Sequence, residues 1–339
     1  MDSTPMRAEP VARTTEESVM PIAEVPPSPV LLTGLKPRDS TGALFAGGCV
    51  ALSSLSLALA TSDNLLTWLA GQLLLAVALT QWFVILHESG HETLFRRKRL
   101  NCYAGHLASL FCLIPFLCWK AMHGQHHKWT GWQDLDPTTA LLLPERFGKT
   151  ETAVIHVCWK FWIPLFSVAY RIQNFWNFRR LRKLFLRRDQ QLTFFCNIAG
   201  LLTIYVCLVY WLGVSALLRL FGVGCLLTLI FQDLLLLSQH THMPLHLSGG
   251  DKVRPYPPLS QEPFTRSLEF PRWFSVCVLL NLDAHELHHM YPFVPGYCLT
   301  KIPYAPKNEI HWWRWVREAK RLRGEVFLLQ NRNQSGASI

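Results

Sequence analysis

The sequence predicts an all-α integral membrane protein: two transmembrane helical hairpins, with a cytoplasmic helical cap that carries its histidines. Three observations predict it. Half of the 339 residues are apolar and only 17% are charged, where a soluble domain carries about 25%. Mean hydropathy is +0.16, with 13 Trp and 20 Phe, the profile of a chain largely immersed in lipid. Finally, 33 Lys+Arg outnumber 23 Asp+Glu to give a net charge of +10, and these cations are segregated. Disordered, collagen-like and small disulfide-rich classes are excluded. The ten cysteines are scattered without a CxxC pair, so they read as small buried apolar residues in a reducing compartment.

Residues 1–38 are rich in Pro, Glu, Ser and Thr and lack apolar periodicity, which predicts a mobile tail. No basic start leads into an apolar core there, so it does not read as a signal peptide. Apolar runs follow at 42–61 and 64–86, parted only by Thr61-Ser62-Asp63. A second pair occupies 193–212 and 214–237, parted near Gly213. Each run can cross ~30 Å of hydrocarbon at ~1.5 Å per residue. Breaks this short turn each pair into a hairpin that starts and finishes on one side. Segments 1–41, 87–192 and 238–339 then share that side and hold 32 of the 33 Lys and Arg. The positive-inside rule makes it cytoplasmic, termini included. The exception, Arg219, sits near the start of the fourth run, where it can snorkel outward. The basic charge is thus mainly topological, with anionic lipid headgroups rather than nucleic acid as its partner.

Two further apolar stretches, 101–119 and 152–170, contain Pro115, and Lys160 with Pro164, respectively. They read as interfacial or partly inserted helices, giving four spans, or six if both cross. The organisation expected is a tail at 1–38, a membrane domain at 39–310 and a basic cytoplasmic tail at 311–339.

Eleven of the 14 histidines fall in four clusters at the cytoplasmic ends of these runs. They are His87-Glu-Ser-Gly-His91, His123-Gly-Gln-His126-His127, Gln239-His240-Thr-His242-Met-Pro-Leu-His246 and His285-Glu-Leu-His288-His289. Residues three or four apart share a helix face, so each of the first, second and fourth boxes converges imidazoles on one point. Neutral imidazole suits Fe, Zn, Cu and Ni. Eight nitrogens from these boxes plus one from the third cluster, His240 being the favoured donor, exceed one tetrahedral zinc and fit two ions. His242 and His246 read as supporting residues, and His106, His156 and His311 as isolated polar tips at the membrane interface. Carboxylates flank the boxes: Glu88, Glu92, Asp134, Asp136, Asp233, Asp283 and Glu286. Metal-bound histidines usually give their other N–H to such a group; Asp233, Asp283 and Glu286, with His242, are the candidates for that supporting layer.

The ordered set HESGH, HGQHHKWTGWQDLDP, QHTHMPLH and DAHELHHMYPFVPGY resembles the membrane fatty acid desaturase superfamily, its acyl-lipid branch above all, over residues 42–310. The resemblance implies two non-haem Fe ions held by His87, His91, His123, His126, His127, His240, His285, His288 and His289. It also implies O2 as oxidant, a fatty acyl or related lipid substrate, and two electrons from outside. In several family members an Asn or His precedes the last box; Asn281 stands four residues before His285. No His-Pro-Gly-Gly haem signature and no cysteine array for an iron–sulfur cluster occur, so a separate donor of ferredoxin or cytochrome b5 type is expected. The spans would wall a tunnel for the chain, with Trp82, Phe83, Trp119 and Phe231 as candidate walls. Desaturation leads; hydroxylation, ketolation or oxidative decarboxylation to a terminal alkene would use the same ligands with a differently placed substrate. Transport of a metal predicts polar residues at the midplane of several spans, and these runs are nearly uncharged.

Overall fold

A computed structural model describes residues 32, 34–143, 147–337 and 339. Most of the tail expected at 1–38 therefore lies outside the described residues. Among the described residues, four helices are long and apolar enough to cross a membrane: α1 (Asp39–Ala60), α2 (Leu65–His91), and, further along, Arg188–Leu212 and Val214–His240. The first break is built as its residues dictate. Asn64 caps α2, its Oδ1 accepting from the backbone N–H groups of Leu66 and Thr67 at 3.1 Å each.

Between the hairpins lie two bent helix pairs, which raise the count to six spans if each pair is one span. The first joins α3 (Lys98–Cys112) to α4 (Phe116–Trp129) at 99°; the second joins α5 (Lys149–Lys160) to α6 (Leu165–Arg171) at 119°, α6 continuing as a wide turn to Trp176. The cause is local. Leu113 and Trp162 adopt left-handed φ of 55° and 59°, and Pro115 and Pro164 then restart the helix in a new direction. These are the stretches that the prolines marked in the sequence. Buried Arg171 ties the two elbows to the fourth span: its guanidinium donates to Cys112 O at 3.2 Å and to Gln232 Oε1.

A short α7 (Phe178–Leu184) leads into the second hairpin, α8 (Arg188–Leu212) and α9 (Val214–His240), which turns at Gly213 with φ 76°. Of the most apolar window of α2, 61% is buried, against 11% in α8. So α2 is the central span, and Phe195, Val206 and Trp211 of α8 are left to face lipid. Gln72 bolts α2 to α9 inside the membrane, donating to Arg219 O and Leu220 O and accepting from Gly224 N–H at 2.8 Å. At the far end Arg219 reaches Asp63 at 2.6 Å, the partner that makes its lone cationic position tolerable.

The cap is built from short pieces: a parallel pair β1 (Ser267–Glu269) and β2 (Glu309–His311), with α10 (Arg272–Cys277), α11 (His285–Met290) and α12 (Gly296–Leu299). The sequence showed no sign of these strands, since three-residue pairings carry no periodicity. Leu35 is buried against Leu287, Met290 and Val294, so the described end of the N-terminal segment is docked rather than free. Residues 311–339 also depart from the expected tail, forming α13 (Trp312–Arg321), α14 (Gly324–Leu329) and α15 (Arg332–Ser335). Their Lys and Arg concealed an apolar face: Trp315, Val316, Ala319 and Phe327 are buried with Trp159, Leu234 and Leu237. Lys320 clamps this unit to α5, its ammonium 3.7 Å and 3.9 Å from the ring centres of Trp159 and Trp162. Burial holds its pKa down at about 8.

Candidate metal centre

Box one is the last turn of α2, which ends where Glu92 takes a left-handed φ of 62°. Box two lies on α4, His240 is the last residue of α9, and box four is nearly the whole of α11. The fold brings these four ends together. His87, His91, His123 and His288 form one group and His126, His240, His285 and His289 a second, with ligand atoms within 4.8 Å of one another in each. In the first group His91 Nε2 lies 2.8 Å from His123 Nε2. His127 joins it, its Nε2 3.1 Å from His123 Nε2 and 3.0 Å from His288 Nε2. In the second, His240 Nε2 lies 3.0 Å from His126 Nε2 and 2.8 Å from His285 Nε2. All nine histidines selected from sequence thus fall in two adjoining sets, five and four.

Proton bookkeeping shows what the sets can hold. Asp136 Oδ2 faces His126 Nδ1 at 2.6 Å, Gln261 Oε1 faces His289 Nδ1 at 2.9 Å, and Phe264 O faces His240 Nδ1 at 3.3 Å. A carboxylate and two carbonyls only accept, so these three rings carry their proton on Nδ1. Their Nε2 lone pairs then converge, which is repulsive unless a cation sits among them. Among the described residues, His87 Nε2 in the first set and His289 Nε2, one of those three, are buried with no hydrogen-bond partner. Burial, reinforced by neighbouring histidines, holds His285, His288 and His289 well below the usual histidine range. Neutral, convergent imidazoles are a metal site's donor set.

The fatty acid desaturase family model matches residues 64–326. The chain belongs to the fatty acid desaturase family. A sn-1 oleoyl-lipid 12-desaturase of Picosynechococcus sp. is 28% identical over 73% of this chain and 70% of the relative. Two Arabidopsis thaliana proteins are also similar. The temperature-sensitive sn-2 acyl-lipid omega-3 desaturase (ferredoxin) of the chloroplast is 24% identical over 70% of this chain and 55% of the relative. The acyl-lipid omega-3 desaturase (cytochrome b5) of the endoplasmic reticulum is 23% identical over 80% and 71%. This protein is accordingly an integral membrane desaturase-family chain whose histidine clusters fit a metal site.

The supporting layer of this desaturase differs from the one expected. Glu88 and Asp136, two of the flanking carboxylates, do reach the histidines. Glu88 lies 3.4 Å from His87 Nδ1 and also accepts from Thr93 Oγ1 and Gly296 N–H at 2.8 Å and 2.9 Å. Asp283 takes a 2.5 Å bond from Ser275, and burial pushes it up to about 6. Glu286 accepts from Tyr304 and from the Lys307 and Asn308 N–H groups, tying the chain before β2 to α11. Asn281 donates to Gly296 O at 2.9 Å, fastening the loop after box four. Asp233 accepts from Ser167 N–H at 2.6 Å, steadying the start of α6. His242 bonds Ser335 at 2.5 Å and stacks on Phe327, away from both sets. His246 packs among Trp132, Tyr256 and Phe264. His106, His156 and His311 stay outside the sets: His311 Nδ1 accepts from Trp313 N–H to cap α13, and His156 Nδ1 from Gly324 N–H.

Residues that sequence reasoning missed include Gln261, which orients His289 and also donates to His127 O at 2.7 Å, and Thr138, whose hydroxyl lies 3.2 Å from His126 Nδ1. Neither stands in a box, and both arrive from segments distant in sequence or around a turn. A pocket of about 60 Å³ between the sets is walled by His87, His123, His126, His240 and His285, with Phe83 and Trp119. It adjoins a cavity of about 540 Å³ lined mainly by apolar side chains of α5 and α6. Of the residues expected to wall a tunnel, Phe83 and Trp119 line the small histidine pocket. Trp82 instead stacks on Phe111, and Phe231 packs against Phe270 and Phe274.

Proposed function

We propose that this chain is an O2-dependent di-iron desaturase that introduces a C=C bond into an acyl chain of a membrane lipid. The observation that carries the metal is the convergence of Nε2 lone pairs whose Nδ1 protons are committed elsewhere. His87, His91, His123, His127 and His288 hold one ion; His126, His240, His285 and His289 hold the other. Neighbouring Nε2 atoms lie 2.8–3.1 Å apart, close enough for the members of each set to share one cation. Bound iron would supply the redox chemistry that removal of hydrogen from unactivated methylenes requires and that zinc lacks.

The reaction balances as –CH2–CH2– plus O2, two electrons and two protons giving –CH=CH– plus two water molecules. The chain's own residues bind, orient and exclude water. The large apolar cavity suits a hydrocarbon tail, and the burial of box four keeps bulk water from the reacting carbon. Asp136, Gln261 and the Phe264 carbonyl hold rings and protons fixed. Relatives named for ferredoxin and for cytochrome b5 support a separate one-electron donor of either class. The distribution of cations supports a cytoplasmic active site and termini.

The test is lipid profiling by mass spectrometry of a host expressing the wild type or His288→Ala together with a matched donor. A new double bond that vanishes in the variant, while the variant still accumulates in membranes, is the expected result. A histidine-dependent hydroxyl, ketone or terminal alkene would overturn the reaction, and equal product from His288→Ala would overturn the site.

A further inference from the structure

The 540 Å³ cavity and the 60 Å³ histidine pocket share four wall residues: Thr138, Leu142, Phe166 and Tyr170. Any chain passing from one to the other goes between them. Building on the acyl-chain reading above, we propose that these four form a bottleneck, with Phe166 and Tyr170 as the residues that select which methylene reaches the histidines.

The need for such a stop is physical. Successive methylenes are chemically alike, so an apolar cavity alone lets a chain slide; only a fixed steric feature sets its register. Phe166 and Tyr170 lie four apart on α6 and so share one face, their rings stacked at 5.3 Å and 28°. Phe175 braces Tyr170 edge-on at 5.4 Å from behind. Thr138 walls the passage beside Tyr170. Thr138 in turn donates from its hydroxyl and its backbone N–H to Asp136 Oδ1 at 2.8 Å each, and Asp136 Oδ2 holds His126 Nδ1. One carboxylate therefore holds both Thr138, a wall of the passage, and His126, a histidine of the metal set. Register of the chain and position of the metal donors are measured from a common point.

Displacing or adding one methylene in an apolar site is worth about 10- to 200-fold in discrimination, which sets the size of the effect. The wild type, Phe166→Ala and Tyr170→Phe would be expressed with a donor, and the positional isomers of the new double bond quantified. Phe166→Ala should raise the fraction of off-position double bonds roughly tenfold, and Tyr170→Phe, which keeps the ring and removes only its hydroxyl, should raise it less. Both should retain wild-type iron content in purified protein, separating register from metal loss. Phe231→Ala, outside both cavities, should leave the bond position unchanged. A single unshifted position in both bottleneck variants at normal iron content overturns the proposal.

Photolabelling of the wild type keeps the idea testable if Phe166→Ala fails to accumulate. Fatty acids with a diazirine near the reacting carbon should label peptides 138–142 and 165–170, and labelling confined to other segments overturns the bottleneck. Labelling of those peptides by a wild type that forms no double bond would support the bottleneck while rejecting the desaturase reaction.

Discussion

Asp136 and Gln261 act directly on histidine rings: each fixes a ring's tautomer so that the opposite nitrogen is a lone pair. Asp136→Asn leaves the size of the group but removes the charge and presents an N–H that competes with the ring proton. Activity in membranes is predicted to fall about 10- to 100-fold, with the variant still inserted; an unchanged product yield would show that the ring's orientation has other supports. At this scale legibility followed sequence distance. The boxes could be read because imidazoles three and four apart converge on any helix. Glu88 and Asp136 were visible as neighbours, but Gln261 and the Phe264 carbonyl serve histidines 28 and 24 residues away, and no local pattern announces that. Asp233, Glu286 and Asn281 looked like ligand supports from their positions and turned out to fasten helices and loops instead.

Among the elements, the close meeting of α2 and α4 explains a residue inside box one. A Cβ at Gly90 would come within 2.2 Å of Trp119, and Trp119 stacks on His123 at 4.4 Å. Gly90→Ala is predicted to cost about 1–3 kcal/mol, read as a lower thermal midpoint in detergent, and to displace His123 enough to reduce bound iron. Similarly, Gly296 has no room for a side chain, since a Cβ there would meet Leu280 O at 2.2 Å. The two interrupted stretches could be marked off by Pro115 and Pro164, because a proline that cannot continue a helix leaves its mark in sequence, although it does not dictate the bend. The helices of 311–339 could not. Their apolar face is interleaved with Arg314, Arg317, Lys320 and Arg321, and only packing against Trp159 and Leu237 shows which side is buried.

For the whole molecule, both the hairpins and the charge asymmetry follow from lengths and counts that need no knowledge of contacts. They predict that a reporter fused after residue 63 is translocated and one fused after residue 150 is cytoplasmic; a translocated reporter at 150 would mean that the first bent pair crosses the membrane. What counting could not supply is the internal space. The large cavity is formed by α5, α6, α9 and α14 together, elements assigned from sequence to an interface, a span and a tail. It adjoins the histidine pocket through shared walls that include Phe166 and Tyr170 of the second elbow. Two sets of histidines, brought together by the ends of these helices, are proposed to hold two iron ions, and the metal content of protein purified from iron-replete membranes, measured by mass spectrometry beside the His288→Ala variant, decides it. Two irons per wild-type chain, with loss in the variant, is the predicted result. One ion per chain, or stoichiometric zinc in place of iron, would contradict it.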